Sequence, residues 1–411
     1  MDKGKTVAVI GAGIVGVATA LWLLRDGHRV ILVDRTGPAA GASHGNAGLL
    51  ASSSVVPVTV PGLFAHAPAM LLDPMKPLFL KWGYLPRLAP WLMRYLSHAN
   101  APAARARARA LYPIIGDSLA DHQALAAGTG AERWIVPSDY VFLYDSRRDY
   151  QADGFGWGIR KSLGIEWQVL EGAAVDPCFA PGKCAVRLPG HGHITDPGAY
   201  VAALAAHAER QGARLVTGEA TDIVRAGGRV TGLRVSGETI PCEAVVIATG
   251  AWSGPLARKL GLKIPLETER GYHLELWNPS VMPRAPTMIA AGKFLATPMD
   301  GRLRLAGIVE FGGLDAPPSR APLRLLERHV RKVIPGLTWE RTVEWMGHRP
   351  CIADSTPVIG PVPGVDGAFV GFGHDHVGLT GGPKTGRLLA QLVGGTRPNI
   401  DLAPYSPTRF Q

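Results

Sequence analysis

Residues 6–34 read TVAVIGAGIVGVATALWLLRDGHRVILVD, and the order of residue types in this stretch decides the fold. An apolar run from Thr6 to Ile10 enters Gly11-Ala12-Gly13-Ile14-Val15-Gly16. A helical segment continues to Asp26, Gly27 stops it, and a second apolar run from Arg29 to Val33 ends on Asp34. Strand, glycine turn, helix, strand and terminal acid in this order form the dinucleotide-binding βαβ fingerprint. Gly11 permits the tight turn, Gly13 lets backbone N–H groups approach a pyrophosphate, and Gly16 lets the helix lie close on the strand. Ile14 and Val15 open the helix, whose N-terminus turns the positive end of its dipole to the phosphates. Asp34, followed by Arg35, is placed to accept hydrogen bonds from a ribose. A glycine-rich turn without nucleotide is the plain alternative, and the complete unit outweighs it.

Thr6 to Leu24 carries no charge and approaches the roughly 20 residues that cross a bilayer. Three glycines at dinucleotide spacing, with a strand straight after, make this a buried βαβ unit instead of a signal peptide or membrane span.

A chain of 411 residues is long enough for two domains and a large core. The four cysteines, Cys178, Cys184, Cys242 and Cys351, lack CxxC spacing, which argues against a disulfide framework or a metal site and fits a reducing, cytoplasmic compartment. The net charge of +10 comes without a nucleic-acid-binding signature, so an anionic cofactor, substrate or lipid surface is the better match.

Further along, residues 57–100 are rich in proline and aromatics, with a short helix expected near 90–98. ARARARA at 104–110 begins a helical segment, strand-like text covers Tyr140 to Tyr144, and a helix spans Pro197 to Gln211. Arg214 to Thr217, Arg229 to Val235 and Ala244 to Ala248 are spaced like a β-meander. The block 263–345 alternates like antiparallel strands around a helix near 322–333, and a final helix is expected from about Lys384 to Val393.

Two more motifs bear on chemistry. Val245-Val246-Ile247-Ala248-Thr249-Gly250-Ala251-Trp252 ends an apolar strand in a sharp turn where a nucleotide edge can pass. Its distance from the first unit means that the nucleotide domain is interrupted and resumed, a habit of FAD proteins more than of NAD dehydrogenases. Gly347-His348-Arg349-Pro350 is followed by Gly371-Phe372-Gly373-His374-Asp375-His376-Val377-Gly378-Leu379-Thr380. A glycine-dense loop that feeds a helix N-terminus presents N–H groups to an electron-rich oxygen, such as the flavin N1/C2=O edge.

With GAGIVG, ASHGNAGLL, PRLAPWLMRYL, VVIATGAWS, ERGYH, GHRPCIADSTPVIG and GHDHVGLTGGPKTG in this order, the chain resembles the FAD-dependent D-amino-acid oxidase superfamily. The likeness runs over nearly the whole chain and is greatest to the bacterial D-amino-acid dehydrogenase branch. It implies a mixed α/β fold: an interrupted Rossmann-like FAD-binding domain (1–60, 190–262, 346–411) and an antiparallel-sheet substrate domain (61–189, 263–345). It implies noncovalent FAD and oxidation of a D-amino acid at its Cα–N bond, with hydride passing from Cα to flavin N5 and electrons then to a quinone or other carrier. Departures at His44, His374 and His376 point toward cyclic substrates such as D-proline or hydroxy-D-proline. The alternatives are a glycine- or sarcosine-type oxidase that reduces oxygen, a nicotinamide-linked dehydrogenase, and a non-catalytic nucleotide-fold binder.

The resemblance also places cofactor contacts at Ser43, Asn46, Ala47, Gly48 and Leu49, at Ala220, at Thr249, Gly250 and Trp252, and at Gly373, His374, Val377, Gly378, Leu379 and Thr380. Arg349 is the expected fork for the substrate carboxylate; a structural ion pair to Asp354 is the competing reading. Tyr272 and His273 point to opposite faces of one strand, so at most one reaches the site, and Tyr272 is the candidate. His44 and His376 are candidates to take the ammonium proton of an amino acid. No metal is expected, because His-x-His here lacks further ligands. Trp82, Tyr84, Trp91 and Tyr95, interleaved with Lys76, Lys81, Arg87 and Arg94, read as a peripheral contact with the inner membrane through 76–95, or as a lid. Arg105, Arg107 and Arg109 read as a solvated helix face.

Overall fold

Alternate residues of the opening strand leave in opposite directions, and both sets are buried. The computed structural model describes residues 4–62 and 77–411. Thr6–Ile10 lies inside a six-stranded sheet of order Val358–Pro361, Ala368–Phe372, Ala244–Ile247, Thr6–Ile10, Arg29–Asp34 and Arg214–Thr217. Neighbours pair in parallel except for the edge strand Val358–Pro361. Val7 and Val9 pack with Val30 and Leu32 against the helices Ile14–Arg25, Pro197–Arg210 and Gly378–Val393. Ala8 and Ile10 join Ile31, Val245 and Ile247 on the other face, with the helix Ser253–Lys259 and a three-stranded antiparallel sheet. A strand covered on both faces needs apolar side chains throughout, which explains the unbroken VAVI. Glycines set the helix spacing. A Cβ on Gly16 would stand 1.8 Å from the Gly11 carbonyl oxygen, and one on Gly386 would stand 2.6 Å from the Thr19 nitrogen.

A ten-stranded, mainly antiparallel sheet forms the second layer system. Its long strands are Leu266–Trp277, Arg302–Phe311 and Arg341–Ile352 on one side and Ile135–Tyr144 and Cys184–Ile194 on the other. The helix Ala321–Val333 buries Leu323, Leu326 and Val330 against it.

Several expectations about elements change. The meander consists of Ala220–Ala226, Arg229–Val235 and Glu238–Pro241, whereas Arg214–Thr217 and Ala244–Ile247 belong to the six-stranded sheet. The last helix begins at Gly378 and runs through Pro383. The helix expected near 90–98 spans Leu85–Ser97, with Pro86 in its first turn and Pro90 inside. Burial of Leu88, Trp91 and Tyr95 along one stripe outweighs the single hydrogen bond that Pro90 removes. Trp91 and Tyr95 therefore stack inward at 4.7 Å and Tyr84 donates to Glu267, so of the four aromatics only Trp82 is exposed; Lys76 lies outside the described residues. Arg107 is buried, not solvated, with Nη1 bonded to Thr59 Oγ1 at 3.0 Å. The expected domain boundaries at 189/190 and 345/346 fall inside the strands Cys184–Ile194 and Arg341–Ile352.

Candidate active site

The first turn of the fingerprint is built as its chemistry requires. Gly11 has φ +102°, and a Cβ there would lie 2.5 Å from the Ala248 carbonyl oxygen, so the loop after the fourth parallel strand presses directly on the glycine turn. Ser43 Oγ accepts from the Ile14 N–H at 2.9 Å and holds the start of the first helix. Asp34 Oδ2 accepts from the Ala12 N–H at 2.8 Å, and Oδ1 accepts from Thr36 and Gly37. The terminal acid thus braces the turn as well as facing the groove beside it.

That groove opens into one cavity of about 740 Å³ that runs between the two large sheets. Gly11, Gly13, Ile14, Val15, Asp34 and Arg35 line one part. Ser43, Asn46, Ala47, Gly48 and Leu49 line it next, with Ala220, Thr249, Gly250 and Trp252 on the side of the late strand. His374, His376, Val377, Gly378, Leu379 and Thr380 come from the loop and first turn of the last helix, and Arg349 from the strand Arg341–Ile352. The cavity therefore gathers residues from more than 300 positions apart in sequence. Arg35 lies 4.0 Å above the Trp252 ring, which also meets His348 edge-on at 5.2 Å.

Three expected site residues are not part of the lining. Gly16 is consumed by helix–strand packing, and Gly373 (φ +83°) packs against Ile352. His44 is exposed, its ring 6.2 Å from Trp345. Tyr272 lines the cavity, but its hydroxyl is taken: it donates to Glu310 Oε2 at 2.6 Å and accepts from the Ser319 N–H. A bulge between Gly271 and Tyr272 accompanies this inward turn. His273 instead stacks on Trp345 at 5.1 Å and bonds the Gly45 carbonyl.

Arg349 is not paired with Asp354, which binds Arg409 at 2.8 Å. Its Nη1 and Nη2 donate to the carbonyls of Ile308 and Gly307 at 3.2 Å each. Glu269 is its partner across the strand pair. Burial pushes the Glu269 carboxyl up, and Arg349 opposes that shift. His376 Nε2 lies 3.4 Å from Glu269 Oε2 on a side chain that still reaches the cavity, and partial desolvation, then Arg349, lower the imidazole below its ordinary value. Burial alone pulls His374, bonded to Thr385 Oγ1 at 2.9 Å, down to about 4. Met288, Lys293 and Leu295 carry no motif, and Glu269 and His348, although they lie inside ERGYH and GHRP, carry no local sign that they face the site; the pairing of distant strands brings them to it or behind it.

The lining fits FAD: a glycine cradle that side chains would fill, a helix N-terminus at each end, and an arginine beside the second. The profile of the FAD dependent oxidoreductase (DAO) family matches residues 6–392, and the chain belongs to this family. It is 40% identical to a D-amino-acid oxidase of Bradyrhizobium diazoefficiens over all of both chains. It is 32% identical to a D-amino acid dehydrogenase of Rhizobium johnstonii over 98% of this chain and 99% of that one. Among solved structures, glycine oxidase from Geobacillus kaustophilus superposes with a TM-score of 0.77 at 26% identity, covering 99% of this chain and 100% of that one. The protein is an FAD-dependent amino-acid oxidoreductase with the mixed α/β fold expected of it. Among the described residues no helix is long and apolar enough to cross a membrane.

Proposed function

We propose that this chain oxidises the Cα–N bond of a D-amino acid to an imine, with cyclic acids such as D-proline and hydroxy-D-proline among its substrates. The observation that carries this reading is Arg349, a guanidinium at the cavity wall held by two main-chain carbonyls and free to exchange them for a carboxylate. Bound FAD supplies the two-electron sink for hydride leaving Cα. Arg349 orients the acid by its fork, Tyr140, Met288 and Leu295 supply an apolar wall for the side chain, and His376 stands at the cavity as proton acceptor. Gly13, Ser43 and the first helix would hold the pyrophosphate, with Asp34 and Ala220 toward the ribose and adenine. The loop from His374 to Thr380 would hold the flavin edge. The two-domain division is kept in this reading, with its boundaries moved to the strand ends. A panel of D- and L-amino acids, scored by anaerobic bleaching of the flavin, tests it. Bleaching by D-enantiomers is expected; faster bleaching by L-enantiomers overturns the stereochemistry.

The electrons pass, in this reading, to a quinone or carrier at an anionic membrane surface, reached through exposed Trp82, Met93, Arg87 and Arg94. A second reading has oxygen as acceptor. It is favoured by the name of the relative at 40% identity and by the inward turn of Trp91 and Tyr95. Comparing flavin reoxidation by oxygen and by a soluble quinone separates the two.

A further inference from the structure

Resting on the proposed oxidation of an amino acid in this cavity, we propose that Glu269 is a positioning residue shared by two groups. It balances Arg349 while the site is free. When a substrate carboxylate takes Arg349, it passes to His376, and the Glu269–His376 pair accepts the ammonium proton of the substrate.

Glu269 stands opposite Arg349 in register, and its side chain is 4% exposed. Its Oε2 has no hydrogen-bond partner among the described residues, a costly state for a buried carboxylate. His376 Nε2 lies 3.4 Å from that oxygen, on a side chain 39% exposed at the cavity wall, and the Cys351 thiol also hydrogen-bonds the Glu269 carboxyl. With hydrogen on Nε2 toward Glu269, the His376 lone pair is left on Nδ1. A carboxylate behind an imidazole sets the tautomer in just this way.

Arg349 acts on both members of the pair in the same sense, lowering the proton affinity of each. It opposes the upward push of burial on Glu269 and disfavours the imidazolium of His376. A substrate carboxylate on Arg349 cancels both effects together. Glu269 loses its counter-charge and His376 loses the cation that repels its proton, so the pair gains proton affinity as the substrate arrives. The other titratable groups facing the pair are Cys351 on the strand of Arg349, Asp375 beside His376, and Tyr95 from the helix Leu85–Ser97. Burial pushes all three toward their protonated forms, which makes them poor acceptors.

The chemistry needs this transfer. An amino acid arrives as an ammonium, and hydride can leave Cα only when the nitrogen lone pair is free to form C=N. One N–H bond of the ammonium breaks, one forms on the pair, and no electrons are exchanged in that step.

The test uses the flavin-loaded protein and butyrate, a carboxylate without an amine. Binding is read from the flavin spectrum, and proton exchange from an indicator dye in weak buffer at pH 7.5. Net proton uptake is expected for the wild-type protein and is lost in Glu269→Gln and His376→Asn. With the amino-acid substrate, Glu269→Gln is expected to slow anaerobic flavin reduction about 100-fold near neutrality, the lower end of what a general base contributes. That defect narrows as the pH approaches the pKa of the substrate ammonium, because the amine then arrives free. Butyrate binding to the wild-type protein without proton uptake, or a Glu269→Gln defect that ignores pH, overturns this proposal alone. Failure of every amino acid to bleach the flavin overturns the proposed function and this proposal with it.

Discussion

Arg349 is held by two carbonyl oxygens at 3.2 Å, a weak harness for a full charge and a replaceable one. Arg349→Lys removes the two-point fork while the flavin stays bound. Loss of one charge-assisted hydrogen bond, about 1.5–3 kcal/mol, raises KM by roughly 10- to 150-fold. The check compares the kcat/KM of an amino acid with that of its uncharged amide. If the mutation leaves their ratio unchanged, Arg349 is not the clamp. At the other end of the cavity, Gly13→Val is expected to strip the protein of flavin. Even a Cβ at this position comes 3.1 Å from Ser43 Oγ, which holds the Ile14 N–H, and the larger side chain enters the space that the pyrophosphate needs. A yellow Gly13→Val protein with full occupancy refutes that placement. Asp34→Ala is expected to weaken flavin binding and also to lower stability, because the carboxylate braces Ala12, Thr36 and Gly37.

At the scale of elements, the contact between the first and last helices sets how their two N-termini stand at the cavity. Gly386 sits against Ala18 and Thr19, and Gly386→Ala forces a methyl to within 2.6–2.7 Å of backbone. Overpacking of this kind costs about 1–3 kcal/mol, so a lower melting temperature and a lower flavin content are expected together. The last helix is also held by His122, whose ring nitrogens bond the Tyr200 hydroxyl at 2.8 Å and the Leu379 carbonyl at 2.9 Å. Burial pulls this imidazole down to about 4, from an ordinary value near 6.5. Between those pH values the unfolded chain binds a proton that the folded chain refuses. Stability is therefore full above pH ~6.5 and declines as pH falls toward 4. Thermal melts at pH 8, 6 and 5 are expected to show this decline, with a shallower slope in His122→Gln. Equal slopes would show that His122 is not one of its sources.

For the whole molecule, the charge of +10 and the exposed face of the helix Leu85–Ser97 are the features on which the proposed membrane contact rests. Each basic residue near an anionic surface contributes about 1 kcal/mol, so Lys81, Arg87 and Arg94 give reversible binding at most. Binding to anionic vesicles at low salt and release at high salt are expected, because the Debye length falls to ~3 Å at 1 M. Protein that stays in the supernatant at low salt, with fast reoxidation by oxygen and no gain from quinone, makes this an oxidase.

The βαβ unit was legible residue by residue, because a glycine turn, a helix stop and a strand buried on both faces are local demands that leave local signs. The position of Arg349 at a site was legible only through resemblance, since an arginine in a strand looks the same whether it pairs with Asp354 or faces a cavity. Tyr272, His44 and Arg107 could not be placed from spacing. A bulge, a tilted contact with Trp345 and a bond to Thr59 decided where each went. The helix expected near 90–98 extends to Leu85–Ser97, because burial against the neighbouring sheet outweighs the local penalty of Pro90. Sequence by itself thus determined the nucleotide unit, its interruption and the family-wide order of motifs. Tertiary structure alone decided that Glu269, Arg349 and His376 meet. That meeting depends on the register between two strands more than 70 residues apart, and no local pattern encodes it.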